Sequence, residues 1–293
     1  WIKFRDNPLN ADDKYEFPKV ICTIGNNIIV GTQKGILVSE NENDFTRKQK
    51  FDFGDKAVDI IIADAKVYVA SFEGKLYFSD DNGVSWTENE LGIDINDLSV
   101  NSLGEVLVST DKGIYKIENN GATFTQVLDN GFENLKVEQL AINNDMYFAA
   151  TNMGICRSVN ASDWGLASKG LGYANVWGFD NADSVYYMAT SSGVWRSKSY
   201  GQRWIPVGLF GKEIKSVLAY DGKIYAVENK YNPSSLIVYV SADEGKSWAQ
   251  VGSKIENATI PKLATAGGHL YCHAEQSSDD GVYKLTDFQG DWA

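Results

Sequence analysis

Apolar positions along this chain fall into short runs with an alternating rhythm, separated by polar turns. No stretch of useful length holds the spacing of an amphipathic helix. One segment shows the pattern in full. Val58–Ala63 reads as a strand, Asp64, Ala65 and Lys66 turn it back into Val67–Ser71, and Phe72, Glu73 and Gly74 lead to a third strand, Lys75–Ser79. A polar loop follows, closed by Trp86, where a fourth strand starts. The second strand recurs as Ile28–Thr32, Val106–Thr110, Tyr147–Thr151, Tyr186–Thr190, Ile224–Val227 and Tyr271–Ala274. A glycine opens the third strand at Gly35, Gly74, Gly113, Gly154 and Gly193, at spacings of 39, 39, 41 and 39 residues, and Leu236–Ser241 and Gly281–Lys284 continue the series. A period near 40 with four short strands per unit is the signature of a propeller blade. The pattern predicts an all-β chain forming one domain over residues 1–293, a seven-bladed β-propeller of four-stranded antiparallel blades.

The loop between third and fourth strands is the most specific feature. Ser79, Asp81, Gly83, Ser85 and Trp86 keep the same spacing as Ser241, Asp243, Gly245, Ser247 and Trp248. Looser copies hold Asn119, Gly121 and Phe124, then Ser199, Gly201 and Trp204, and Asp287, Gly290 and Trp292. Two more, Ser39 to Phe45 and Ser158 to Trp164, are one residue short. An Asp or Asn side chain can bond backbone N–H groups further along and fix such a turn, while Gly supplies positive φ. The aromatic then fills the edge between neighbouring blades, burying roughly 150–250 Å². A calcium loop is the alternative for Asp81 and Asp243, but the alternating oxygens and late Glu of an EF-hand loop are missing. Because the last copy ends at Trp292, Trp1–Asp6 is expected to supply the missing strand and close the ring against the C-terminal blade.

These loops resemble the Asp box, or BNR repeat, found in sialidases, xyloglucan hydrolases, sortilin-type receptors, photosystem assembly factors and many exported bacterial propellers. The resemblance covers the whole chain and implies the fold rather than an activity. Sialidases use an arginine triad. Here Arg157 and Arg196 lie at the ends of third strands, Arg203 lies inside a box, and only Arg5 and Arg47 remain, so no central triad assembles. Photosystem assembly factors match in size and imply a protein-docking ring, but their arginine-rich patch has no counterpart.

The formal charge is −12 with no Lys/Arg cluster, which argues against nucleic acid and anionic membrane surfaces. No run approaches the roughly 20 apolar residues of a transmembrane helix. Cys22, Cys156 and Cys272 each sit in an apolar run and read as core residues, with a Cys22–Cys272 bridge as the alternative. His269 and His273 lie four residues apart on a strand, roughly 13 Å, too far to share a zinc. No catalytic residue, metal or cofactor is expected.

Two leads mark a binding face. The connections Glu228–Ser235 and Glu275–Asp280 exceed the minimal turns elsewhere, and longer loops are where function tends to sit. They point to Glu228, Lys230, Tyr231, Glu275, Asp279 and Asp280. Trp177, with Tyr173 nearby, is the tryptophan that lies in a first strand rather than in a box, a third strand or a fourth. The expected function is a non-enzymatic, extracytoplasmic propeller that docks a protein partner, its signal sequence removed. A carbohydrate-binding or glycoside-hydrolase-like propeller is the alternative.

Overall fold

A computed structural model describes residues 18–40, 45–52, 54–127, 134–143, 146–151, 153–169, 171, 175–231, 233–266, 269–276 and 281–284. These form antiparallel meanders. The first sheet is β1 (Pro18–Ile24), β2 (Asn27–Thr32), β3 (Gly35–Ser39) and β4 (Thr46–Lys50). The second is β5 (Ala57–Ala63), β6 (Lys66–Ser71), β7 (Lys75–Ser79) and β8 (Thr87–Glu90). The third is β9 (Ile95–Val100), β10 (Val106–Thr110), β11 (Gly113–Glu118) and β12 (Thr123–Gln126). In the fourth, β13 (Val137–Asn143) and β14 (Met146–Thr151) precede β15 (Gly154–Ser158) and a short β16 (Gly165–Leu166). The fifth holds β17 (Val176–Ala182), β18 (Val185–Thr190), β19 (Gly193–Ser197) and β20 (Ile205–Gly208). The sixth is built of β21 (Ile214–Tyr220), β22 (Lys223–Tyr231), β23 (Ser234–Ser241) and β24 (Ala249–Glu256). The last comprises β25 (Ala258–Ala266), β26 (His269–Gln276) and β27 (Gly281–Lys284).

Seven four-stranded blades were expected, and the structure corrects this: six sheets have four strands, and the last has three among the described residues. The proposed closing segment Trp1–Asp6, like Asp287 and Trp292, lies outside the described residues.

The chain divides into two compact units within the fourth sheet. One runs to Tyr147 and includes Ser158–Trp164; the other holds Phe148–Arg157 and everything from Gly165. In each, the apolar core lies between successive sheets. Ile29, Ile36 and Val38 of the first sheet meet Val67, Val69 and Tyr77 of the second in the N-terminal unit. In the C-terminal unit, Tyr187 and Val194 meet Ile214 and Val217, and Tyr225 and Leu236 meet Leu263 and Cys272. Middle strands such as β3 and β10 are buried at every position, covered on both faces, whereas fourth strands such as β8 are largely exposed. Tight hairpins such as Asp221–Gly222, both with positive φ (50° and 68°), set the register.

The two full boxes form as their sequence predicts. Asp81 accepts the Ser79 hydroxyl (2.8 Å) and the Ser85 N–H (2.9 Å), and Ser79 Oγ accepts the Gly83 N–H at 2.8 Å. Asp243 repeats the arrangement with Ser241 and Ser247. The Ser85 hydroxyl and N–H hold the Asp81 carboxyl down to about 2, and those of Ser247 do the same for Asp243. Trp86, Trp164 and Trp248 each donate Nε1–H to the carbonyl three residues earlier. Trp204 and Trp164 are buried, and Phe124 packs on the adjoining cores of its unit.

The box also has a second use. The carbonyl of the residue before its glycine accepts a side chain from the preceding sheet. Asn27 donates to Asn82 O (2.9 Å) and Asn89 more loosely to Asn120 O (3.5 Å) in the N-terminal unit. Arg157 donates to Tyr200 O and Arg196 to Glu244 O, both at 2.9 Å, in the other. Innermost strands are stitched by carboxylates: Asp59 Oδ2 accepts Leu98 N–H and Asp97 Oδ2 accepts Leu140 N–H, both at 3.0 Å. In the C-terminal unit Asp180 Oδ2 takes Ala219 N–H at 2.7 Å, and burial raises the Asp180 pKa against those backbone donors. Such bonds satisfy backbone groups that would otherwise be buried without a partner.

Candidate functional site: the rim of the fifth and sixth sheets

The sixth sheet departs from its neighbours where its second and third strands meet. In the first, third, fourth and fifth sheets the second strand ends on Thr32, Thr110, Thr151 or Thr190. Each hydroxyl donates to the carbonyl of the glycine three residues on and accepts the N–H two residues on. That pair of bonds closes the turn at once. In the sixth sheet Glu228 takes this place, facing Ile214 as Thr190 faces Val176. An ionised carboxylate cannot donate to the glycine carbonyl, and the strands stay paired through Asn229, Lys230 and Tyr231. The long connection expected at Glu228–Ser235 is therefore corrected: it is strand almost throughout, a prolonged hairpin.

Glu228 turns inward instead. Its side chain is 7% exposed and accepts Lys212 Nζ (2.8 Å) and the Tyr239 hydroxyl (2.7 Å). Lys212 lies 5.2 Å from the Tyr239 ring centroid. Burial works against the Lys212 ammonium, but Glu228 and Tyr239 outweigh it and keep the lysine pKa above its ordinary value. Burial and Glu228 raise the Tyr239 pKa, so its hydroxyl is a donor at neutral pH and not a nucleophile.

Beside this pair the structure brings Trp177 and Tyr231 together through residues the sequence reading missed. Lys215 Nζ sits 3.5 Å from the Trp177 ring centroid and pairs with Glu213 at 2.6 Å. Glu213 also accepts the Tyr231 hydroxyl (3.3 Å), and its backbone carbonyl accepts Asn229 N–H (2.9 Å). Lys215 and Glu213 are adjacent to Trp177 only because neighbouring first strands run side by side. Their repeat positions were the only available signal, since Lys215 stands one residue after Ile214 as Trp177 stands one after Val176.

Of the expected site residues, Trp177 is half-buried, Glu228 buried, and Lys230 and Tyr231 exposed. Glu275 lies on β26 opposite Thr259. Tyr173, Asp279 and Asp280 lie outside the described residues. Phe210, in the loop entering the sixth sheet, is 69% exposed and Tyr231 54%. The arrangement offers a charge-balanced aromatic platform with apolar tips. Among the described residues no group of three or more His, Cys, Asp or Glu could hold a metal, and no helix is long and apolar enough to cross a membrane. Cys22, Cys156 and Cys272 stand as thiols, Cys156 and Cys272 buried and Cys22 partly so.

The architecture has known counterparts. A catalytically inactive variant of virginiamycin B lyase from Staphylococcus aureus, solved with quinupristin, superposes with a TM-score of 0.74 at 15% identity, covering 95% of this chain and 98% of that one. YCF48 from Cyanidioschyzon merolae gives 0.67 at 16% identity, covering 91% and 94%. YCF48 bound to D1 peptide gives 0.60 at 14% identity, covering 80% and 79%. At these identities the likeness speaks for the fold alone, a BNR-type β-propeller that elsewhere serves both an enzyme and a peptide binder. No curated protein matches the sequence. The match to the DUF6242 beta propeller domain runs over residues 10–283, and the chain belongs to that family.

Proposed function

We propose that the protein is a non-enzymatic, extracytoplasmic scaffold that docks a protein partner on the rim of its fifth and sixth sheets. The observation that carries this reading is the prolonged hairpin ending in exposed Lys230 and Tyr231, set over the Trp177–Lys215–Glu213 floor. Floor residues held by ion pairs and ring contacts are preorganised, so little ordering cost attends binding. Phe210 and Tyr231 supply the exposed apolar area typical of anchor residues. Tyr173, Glu275, Asp279 and Asp280 are proposed as flanking contacts. The peptide-bound YCF48 propeller supports a docking role for this architecture. The carbohydrate alternative has less support, because Trp177, the ring that would stack on a sugar, is half-buried.

The test is site-specific photocrosslinking in the producing cell, from Tyr231, from Phe210 and, as a control, from Ser85 in a box loop. One shared adduct from Tyr231 and Phe210, absent from Ser85, is expected. Equal labelling from all three, or none from the rim, would end the proposal.

A further inference from the structure

We infer that the niche holding Lys215 is a receptor for a cationic side chain, and that the docked partner presents a Lys or Arg there, displacing Lys215. This rests on the docking reading above. The niche has the make-up that recognises organic cations: an aromatic face (Trp177), a carboxylate (Glu213) and a hydroxyl (Tyr231) that holds the carboxylate in place. A second niche of the same kind, Tyr239 with Glu228 around Lys212, lies on the adjoining strands.

A separate observation points to a missing donor. Asn229 is 5% exposed, its side-chain oxygen is buried without a hydrogen-bond partner, and its own N–H is bonded to the Glu213 carbonyl. A buried acceptor without a donor costs roughly 1–3 kcal/mol, and a guest guanidinium or ammonium brings donors to that neighbourhood. Lys215 is one-fifth exposed and rides on a flexible four-carbon stem, so its ammonium can swing into water.

Charge decides between a cationic and an anionic guest. Exchange of Lys215 for a partner's Lys or Arg swaps like for like and leaves Glu213 paired throughout. An anion would have to draw Lys215 away and leave the Glu213 carboxylate with the Tyr231 hydroxyl but no cation, an unpaired charge in a partly buried site. The formal charge of −12 also steers basic segments toward the protein.

The experiment is calorimetric titration of the purified protein with hexa-arginine and with hexaglutamate. Four proteins are compared: wild type, Lys215→Met, the double variant Lys215→Met with Trp177→Leu, and the charge-matched control Lys198→Met, whose lysine pairs with Glu244 at a box. Emptying the niche should tighten hexa-arginine binding about tenfold in Lys215→Met, while Lys198→Met stays close to wild type and the double variant Lys215→Met with Trp177→Leu loses the gain. Hexaglutamate should bind none of them. Equal effects of Lys215→Met and Lys198→Met, or tighter hexaglutamate binding, would overturn the cation niche. Docking itself would still stand or fall on the Tyr231 crosslink.

Discussion

Gly201 joins two demands that a substitution can separate. It sits in the box of the fifth sheet with φ of +74°, and a Cβ there would lie 2.2 Å from Phe148 Cε1 and 2.9 Å from Cζ. Phe148 is 1% exposed and wedged among Phe179, Tyr186 and Trp204, with ring centroids 4.8–6.2 Å away, so it has no free direction to yield. Gly201→Ala should therefore incur about 1–2 kcal/mol for the left-handed backbone and about 1–3 kcal/mol for overpacking. Gly222 is the control: its φ is +68°, and nothing lies within 4 Å of an added Cβ. Gly222→Ala should show the backbone component alone. Thermal unfolding followed by circular dichroism, at roughly 2–4 °C per kcal/mol, should place Gly201→Ala several degrees below Gly222→Ala. Adding Phe148→Leu to Gly201→Ala should recover part of the loss, a coupling expected only for groups in contact. Equal melting temperatures for the two alanine variants would show that the box glycine answers only to its dihedral angle, and the close approach of sheets argued above would be wrong.

Other expectations follow from the same contacts. Asp243 titrates near pH 2 in the folded protein, below the ordinary carboxylate range, so its contribution is present above that range and fades as pH falls toward 2. The melting-temperature gap between wild type and Asp243→Asn should thus be widest near neutrality and close in acid; a gap that widens below pH 4 would contradict the box geometry. Burial pushes the thiols of Cys22, Cys156 and Cys272 up to about 12, 11 and 12, so a thiol reagent at neutral pH should react slowly with the native protein. All three should react at once in urea without reductant, and fewer than three would reveal a bridge. Asn82 and Asn120 both precede glycine with positive φ, but only Gly83 has its N–H held by a box serine, the matching position before Gly121 being Ile117. After incubation at pH 8, peptide mapping should find isoaspartate at Asn120 well ahead of Asn82, and the opposite order would show that the serine is no lock.

The repeat was legible because strand alternation, turn glycines and boxes are local signals, and strands such as β5 to β7 stand within a residue of where the pattern placed them. The strand expected to complete the last sheet, Trp1–Asp6, has no local signal of its own, since it rests on pairing between distant ends of the chain, and it lies outside the described residues. The rim was half legible. Glu228, Lys230 and Tyr231 stood out as a departure from a repeated turn, although the departure proved to be added strand. The signal for added strand is the residue at the turn, where Glu228 replaces the threonine held at Thr32, Thr110, Thr151 and Thr190. Lys215 and Glu213 escaped notice because partners roughly one repeat away are chosen by sheet-to-sheet register, which periodicity alone does not reveal. The stitches from Asp59, Asp97 and Asp180 escaped for the same reason.

The seam between neighbouring sheets has an unequal design. Its receiving half is a main-chain carbonyl before the box glycine, which every amino acid provides, whereas its giving half is Asn27, Asn89, Arg157 or Arg196. A joint of that kind tolerates drift at the acceptor without penalty and asks of the donor only reach and a hydrogen. Repeats could thus be duplicated, reordered or exchanged between relatives and still mate with whatever module comes next. That would let such an architecture outlive nearly all resemblance among its parts.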